Sequence, residues 1–154
     1  MNVSFSDEQT RPIDGDALVA LVERVLVHEG YPARTEVSVT AVTDEAIAEL
    51  KREHMGVDAP TDVLSFPIDD LTPGQPPVDQ PDGPPVLLGD VVIAPTYIAR
   101  QAVEHEVTES DELALMVVHG VLHLMGWDHA SDTDAEAMEA RERDILALVG
   151  VERR

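Results

Sequence analysis

The chain has 154 residues, a length typical of one domain with its own hydrophobic core. It contains no cysteine, which excludes disulfides and thiolate metal sites, so any metal chemistry falls to its six histidines. The formal net charge of -21 predicts long-range repulsion of nucleic acid unless a local basic patch or a helper protein brings it close. No secretory signal and no apolar stretch of membrane-spanning length is present, so we expect a cytoplasmic protein without membrane association.

Hydrophobic periodicity in the first half predicts helices that alternate with short strands. Asp14 or Asp16 is suited to cap the first helix, and Thr43 with Asp44 to cap the second, because short oxygen-bearing side chains accept hydrogen bonds from free N–H groups. The predicted elements are a strand around Val3 and Phe5, a helix to about Glu29, a strand over 36–42, a helix to about Met55 and a strand over 63–66.

Residues 71–85, LTPGQPPVDQPDGPP, are dense in proline, glycine and aspartate, which predicts a mobile surface loop rather than a domain boundary. The strand that follows the loop is expected to pair antiparallel with the strand over 63–66. The remaining predicted elements are that strand, over 86–94 with a bulge at Gly89, and helices that begin at Pro95, at Ser110 and at Thr133 with Glu136 as a capping box. The chain therefore reads as one α+β domain over 1–154, a small mixed sheet covered by helices.

The motif HGVLHLMGWDH, from His119 to His129, carries three histidines with the spacing of a metal site. His119 and His123 are four residues apart, so both project from one face of a helix. Gly126 suits the left-handed residue that ends a helix, and the chain can then bring His129 back as a third ligand. The helix is apolar on almost every face, and buried imidazoles are costly without partners. The motif predicts one metal ion with a fourth position open to water.

This spacing matches the metzincin signature HExxHxxGxxH, so we expect a metzincin-like metal-binding helix. One position differs, because Gly120 stands where those proteases carry the glutamate that activates water. The metal ligands are retained and the base of the protease is absent. An ordinary metallopeptidase is therefore not expected, and a peptidase would need a glutamate from elsewhere in the chain.

The motif and PTDVLSFP at 60–67 together resemble the YbeY family of metal-dependent endoribonucleases. LLGDVVIA, before the metal helix, and the last helix support the resemblance, which spans most of the chain outside the proline-rich loop. It implies one zinc ion per chain at His119, His123 and His129, with single-stranded ribosomal RNA as substrate. It also implies a cytoplasmic endoribonuclease of 16S rRNA 3′-end maturation and ribosome quality control. The implied partners are the small ribosomal subunit and its assembly proteins.

Polar residues in the two motifs are candidates for catalysis and RNA binding. Asp128, beside the third histidine, is predicted to support the metal ligands or to accept a proton. The alternative for Asp128 is a turn aspartate that bonds its own backbone. Thr61, Asp62 and Ser65 are candidate substrate-binding residues, although the segment also reads as an ordinary core strand.

Met55 stands at a position where many members of that family carry an arginine thought to help RNA cleavage. A methionine can neither contact a phosphate through hydrogen bonds nor offset negative charge. Arg52, three residues earlier on the same predicted helix, is a candidate catalytic substitute, because a guanidinium can donate two hydrogen bonds to a phosphate. The alternative is a solvated arginine paired with Glu49 or Glu53.

Two functions of different class follow from this reading. The first is a hydrolase in which a water activated by the metal attacks an RNA phosphodiester. The alternative is a non-catalytic ribosome-associated assembly factor, in which a structural metal fastens the helix to the loop after it. An exchangeable water on the metal favours the enzyme, whereas a fourth protein ligand, for which Asp128 is the nearby candidate, favours the structural role.

Overall fold

The computed structural model describes all residues from 1 to 154 and contains a four-stranded sheet with five α-helices. The single α+β domain predicted from the sequence is confirmed. No helix combines the length and the apolar character that crossing a membrane requires. The elements are β1 (Asn2–Asp7), α1 (Gly15–His28), β2 (Thr35–Ala41), α2 (Asp44–Met55), β3 (Val63–Pro67), β4 (Val86–Ile93), α3 (Pro95–Glu104), α4 (Glu109–Leu124) and α5 (Asp132–Ala147).

The sheet is mixed and has the strand order β1-β2-β4-β3. β1 pairs parallel with β2, and β2 pairs parallel with β4, whereas β3 runs antiparallel to β4. The predicted antiparallel pair on either side of the proline-rich loop is therefore confirmed, with Val63 opposite Ile93. The register between β2 and β4 shifts at Leu88, which has no partner, so the bulge predicted at Gly89 lies one residue earlier.

Successive residues of β4 enter two separate apolar clusters, because side chains alternate across a strand. Val91 and Ile93 belong to the larger cluster, to which α1, α4 and α5 contribute. Val92 belongs to a smaller cluster with Ile47 of α2 and Leu64 of β3. Apolar runs such as β4 are typical of strands that are covered on both faces. The sheet thus carries helices on both sides, and α4 lies on the side of the larger cluster.

Two helices begin earlier than their predicted capping residues. Thr108 rather than Ser110 caps α4, and Ser131 rather than Thr133 caps α5. Each of these hydroxyls accepts a hydrogen bond at 3.1 Å from the backbone N–H three residues later. The capping box of Thr133 and Glu136 does not form, because Thr133 already lies inside the helix. Several hydroxyl and carboxyl side chains compete at each start, and the extended backbone at the cap decides between them.

The chain reverses after α4 at Gly126, whose φ of 95° lies in the left-handed region. A Cβ at this position would lie 2.0 Å from the carbonyl oxygen of Leu71. The start of the proline-rich loop therefore packs directly on the turn, and residues 71–85 contain no helix or strand, as predicted. The requirement for glycine here is double, since both the backbone angle and the neighbouring carbonyl exclude a side chain.

We expect Gly126→Ala to lower the free energy of unfolding by at least about 2 kcal/mol, because it combines left-handed strain with a backbone clash. Gly150→Ala is the matched control. Its φ of 74° is also left-handed, but no atom lies within 4 Å of the added Cβ. It should cost only about 1 kcal/mol. Chemical denaturation of both variants measures the difference, and equal losses would contradict the close packing of Leu71 on the turn.

Candidate metal centre

The three histidines of the motif meet at one point on the surface of α4. His119 and His123 lie one turn apart on the helix, and the turn at Gly126 returns His129 beside them. Each histidine offers one ring nitrogen as a ligand, and these three nitrogens lie within 4.8 Å of one another. No aspartate or glutamate belongs to this group. The structure therefore brings together the three residues that the sequence predicted as metal ligands, and it adds no fourth.

The ring nitrogens that face away from the cluster are held by other parts of the chain. His123 Nδ1 lies 2.8 Å from the carbonyl oxygen of Trp127, which can only accept a hydrogen bond. His119 Nδ1 lies 2.9 Å from a carboxylate oxygen of Glu142. Both Nδ1 atoms therefore act as donors, and in the neutral rings both Nε2 atoms carry a lone pair.

The two Nε2 atoms of His119 and His123 lie 2.9 Å apart and point towards each other. Two lone pairs at this distance repel unless a proton or a cation is shared between them. Burial, together with the neighbouring His119, lowers the pKa of His123 below its ordinary value of 6.5, so protonation is disfavoured at neutral pH. Neutral imidazoles are the form that binds metal, and the donor set therefore fits a metal ion that histidine ligates.

Glu142, in α5, is the most informative residue that the sequence reading missed. Glu142 is only 1% exposed, and its carboxylate contacts both His119 and Arg153. Burial raises the pKa of Glu142, but the hydrogen bond from His119 and the charge of Arg153 outweigh it and lower the pKa overall. The carboxylate therefore stays ionised and fixes the ring of His119. The sequence did contain a signal for Glu142, because this charged residue lies four positions after Met138 on the apolar face of the predicted helix.

Trp127 links the metal turn to the first helix of the chain. Its indole Nε1 donates a hydrogen bond of 3.0 Å to Glu29, a buried carboxylate at the end of α1. The guanidinium of Arg141 lies over the indole ring, 5.0 Å from the centroid. These contacts hold the tryptophan backbone, whose carbonyl oxygen in turn accepts the hydrogen bond from His123. Partners of this kind orient a metal ligand and keep the correct nitrogen free.

The histidines open into a cleft of about 670 Å³ between α4 and the edge strand β3. Of the predicted substrate-binding residues, Asp62 and Ser65 line this cleft, and Thr61 does not. Ser65 Oγ donates a hydrogen bond of 2.8 Å to the carbonyl oxygen of Gly120, which ties the strand to the metal helix. Asp62 accepts hydrogen bonds from the backbone of Val63 and from Thr61. Both cleft residues thus have structural contacts as well as access to the cleft.

Asp128 also lines the cleft and is exposed. One of its carboxylate oxygens accepts a hydrogen bond of 2.8 Å from the backbone N–H of His129. The contact orients the third histidine, and it is also the local bond expected of a turn aspartate. The second oxygen makes no hydrogen bond within the chain. Both of the predicted roles for Asp128 are therefore compatible with its position.

Arg52 does not join the histidines. Its guanidinium lies 3.9 Å from Glu49 on the solvent side of α2, and its side chain is 53% exposed. Met55 does line the cleft, so the position that the sequence singled out is adjacent to the site. The helix turns Arg52 away from it, and the geometry corresponds to the alternative of a solvated arginine paired with Glu49.

Gly120 packs against the sheet. A Cβ on Gly120 would lie 2.8 Å from a methyl group of Val91 and 3.0 Å from one of Val63. Glycine at this position lets α4 approach β3 and β4, and a glutamate would not fit. The absence of the metzincin glutamate is therefore built into the packing of the fold, which argues further against a peptidase of that type.

The family model described as Endoribonuclease YbeY matches residues 3–150 of the chain. An Endoribonuclease YbeY of Moorella thermoacetica is 43% identical over 157 residues, which cover 99% of this chain and 100% of that protein. Another, of Shouchella clausii, is 43% identical over 138 residues and covers 86% of both chains. A third, of Salinispora tropica, is 38% identical over 149 residues, 96% of this chain and 95% of that protein. The similarity extends far beyond the histidine motif.

The fold is also similar to the solution structure of TM1509 from Thermotoga maritima, with a TM-score of 0.57 and 26% sequence identity. The match covers 96% of this chain and 91% of that one. The arrangement of helices and strands is therefore shared along nearly the whole chain.

We expect His119→Ala, His123→Ala and His129→Ala each to weaken metal binding by at least about 100-fold, because losing a ligand costs more than the 10- to 100-fold typical of losing its supporting contact. His105→Ala is the control, since His105 is exposed at the end of α3 and lies outside the cluster. Metal content by mass spectrometry after dialysis measures the effect. Wild-type content in all three cluster variants would disprove the site.

Proposed function

The chain belongs to the YbeY family of endoribonucleases, and from this membership we propose a zinc-dependent endoribonuclease specific for single-stranded RNA. We propose that it acts in the cytoplasm on ribosomal RNA, in 16S rRNA 3′-end maturation and ribosome quality control. The observation that supports the proposal most is the convergence of three imidazoles with no fourth protein ligand. An open coordination position is the mark of a catalytic rather than a structural metal site.

Zinc is the proposed ion because the ligands are all imidazoles, a donor set that zinc binds well, although nickel, cobalt and iron share this preference. His119, His123 and His129 would hold it, one ion per chain. When bound, such an ion polarises a phosphoryl oxygen and lowers the pKa of a water molecule to about 7. Both of these effects favour hydrolysis of a phosphodiester.

The residues of the chain itself orient the reaction. Glu142 and the carbonyl of Trp127 fix the two helix histidines, so that their Nε2 atoms stay free for the metal. Asp128, at the mouth of the cleft, has one oxygen free to accept a proton from the attacking water. Asp62 and Ser65 line the β3 side of the cleft, where they would contact the RNA backbone or sugar. Thr61, the third proposed substrate-binding residue, does not line the cleft and would contact the RNA outside it. The catalytic role of Arg52 stays a prediction, and the position of its side chain beside Glu49 does not support it.

We base the proposed preference for single strands on the position of His119 in the cleft. The side chain of His119 is only 23% exposed, so a phosphodiester has to enter the cleft to reach the site. A flexible single strand can do so, whereas the backbone of a duplex is held in a wide and rigid helix. The net charge of -21 opposes capture of free RNA. Delivery within the small ribosomal subunit, by its assembly proteins, would overcome this repulsion.

Cleavage of single-stranded ribosomal RNA by the zinc-loaded protein tests the proposal. We expect cleavage to stop after chelation and to return when zinc is added back, because hydrolysis depends on the ion held by the histidines. A duplex of the same sequence should be cut far more slowly. The readout is product formation on a denaturing gel, with His105→Ala as the variant that should behave like the parent.

A specific outcome would favour the assembly factor instead. If the zinc-loaded, folded protein binds ribosomal RNA or the small subunit but produces no metal-dependent cleavage, the enzymatic proposal is wrong. The metal would then have a structural role. In that case chelation should lower the melting temperature of the protein.

Asp128→Asn separates the two roles of this residue. The amide oxygen can still accept the hydrogen bond from the backbone of His129, so the turn and the metal content should stay close to those of the parent. The negative charge and the basic oxygen are lost, and we expect the cleavage rate to fall about 100-fold. Rates are measured with saturating zinc over a range of pH. An unchanged rate would leave Asp128 as a turn residue only.

A further inference from the structure

Arg153 and Arg154 are the only lysine or arginine residues among the side chains that line the metal cleft. Ten basic residues stand against 31 acidic ones in the chain, so most of its surface repels a polyanion. A phosphate that enters the cleft therefore has these two guanidinium groups as its lysine or arginine donors, alongside the carboxylates of Asp62, Asp128 and Glu142.

The fold leads these two arginines back to the cleft. After α5 the chain turns at Gly150, whose φ of 74° is left-handed. The N–H of Val151 then donates to the carbonyl oxygen of Leu146 at 3.0 Å, and its side chain packs against the main core. The next residues cross from α5 to α4, which brings Arg153 and Arg154 to the metal cleft.

Each guanidinium is anchored by a buried carboxylate. Arg153 Nε donates to Glu142 at 3.1 Å, and Arg154 Nε donates to Glu112 at 2.6 Å. Both glutamates are only 1% exposed, whereas the arginine side chains remain 18% and 28% exposed. The arginines are therefore held in position from the protein side and are accessible from the cleft side.

The two arginines differ in the donors that they leave free. Arg153 uses one terminal nitrogen on the backbone carbonyl of Arg154, and another lies 3.7 Å from Glu139. The terminal nitrogens of Arg154 make no hydrogen bond within the chain. A guanidinium whose Nε is occupied still has four N–H donors in a planar fork, the geometry that binds a phosphate through two parallel hydrogen bonds.

The position on α4 of the residue that anchors Arg154 indicates which phosphate this arginine would bind. Its anchor Glu112 lies seven residues before His119, which corresponds to about 10 Å along the helix axis. A separation of this size exceeds a single phosphate group, so Arg154 would contact a phosphate other than the reacting one.

We infer that Arg154, supported by Arg153, forms a subsite for a backbone phosphate of single-stranded RNA next to the scissile bond. The inference rests on the proposed function and adds a binding contact to it. Recognition is by charge and by the fork of donors, so the subsite carries no base preference. It acts on the binding of the strand and not on the chemical step.

The competing explanation is that the arginines only neutralise Glu112 and Glu142, since a buried carboxylate without a partner is strongly destabilising. The double variant Glu112→Gln/Arg154→Gln separates the two roles, because it removes this ion pair as a unit and leaves no buried charge unpaired. Arg154→Lys keeps a cation but not the planar fork. Arg100→Gln is the matched control, since Arg100 is an exposed arginine of α3 outside the cleft that likewise pairs with a carboxylate, that of Asp44.

Fluorescence anisotropy with a labelled 2′-O-methyl oligouridylate, which retains every phosphate, measures binding to the zinc-loaded proteins over a series of salt concentrations. A gel verifies that the probe stays intact. We expect Arg154→Gln and the double variant to bind about tenfold more weakly at low salt. The slope of log K against log salt should fall by about 0.7 in both, the change expected for one lost phosphate contact on a single strand. Arg154→Lys should retain the slope, and Arg100→Gln should match the parent.

Cleavage supplies a second readout. For a long single strand, Arg154→Gln should raise KM with little change in kcat, because the lost contact lies away from the reacting phosphate. Parent affinity and slope in the double variant would overturn the subsite and leave Arg154 as the counterion of Glu112. A parent protein that neither binds nor cleaves the RNA would instead overturn the proposed function, so the two failures are distinguishable.

Discussion

The burial of α4 is the constraint on which the metal centre depends. The helix packs against α1, α3, α5 and the sheet, so its two imidazoles have little access to water and each inward nitrogen needs a partner from the chain. Glu142 supplies the partner of His119, and the backbone carbonyl of Trp127 supplies that of His123. Both rings consequently present Nε2 towards the same point. The arrangement of the two helix histidines is thus imposed by the packing of separate elements around the helix, and their spacing alone would not produce it.

Sequence patterns predicted every helix and strand, because periods of 3.6 and 2 residues are local properties. The pairing of β3 with β4 was also accessible, since one loop joins two neighbouring antiparallel strands. The parallel pairs of β2 with β1 and with β4 were not predicted. Parallel neighbours are connected through helices and share no local signal, so their order depends on contacts between distant residues. The caps at Thr108 and Ser131 were missed for a different reason, since several adjacent side chains offered equivalent oxygens.

The candidate site likewise contains residues that local sequence predicted and residues that only the tertiary fold brings in. The three histidines were predicted because a helix and one glycine turn bring them together within 11 residues. Glu142, Glu29 and the two cleft arginines contact the motif only through the tertiary fold, and the sequence reading left them out. One signal for Glu142 was nevertheless present, a carboxylate at an apolar position of a helix, which has to find a cation or a donor when it is buried. Arg52 is the converse case, because helical proximity to Met55 did not bring its side chain to the cleft.

The acidic composition also bears on how the cleft works. A buried ion pair adds little net stability, because the cost of removing both charges from water offsets their attraction. The pairs of Glu112 with Arg154 and Glu142 with Arg153 are therefore better understood through the positions that they fix. They hold positive charge beside the histidines in a chain whose net charge is -21. A phosphate meets repulsion over most of the surface, whereas the terminal nitrogens of Arg154 make no hydrogen bond within the chain and remain as donors at the cleft.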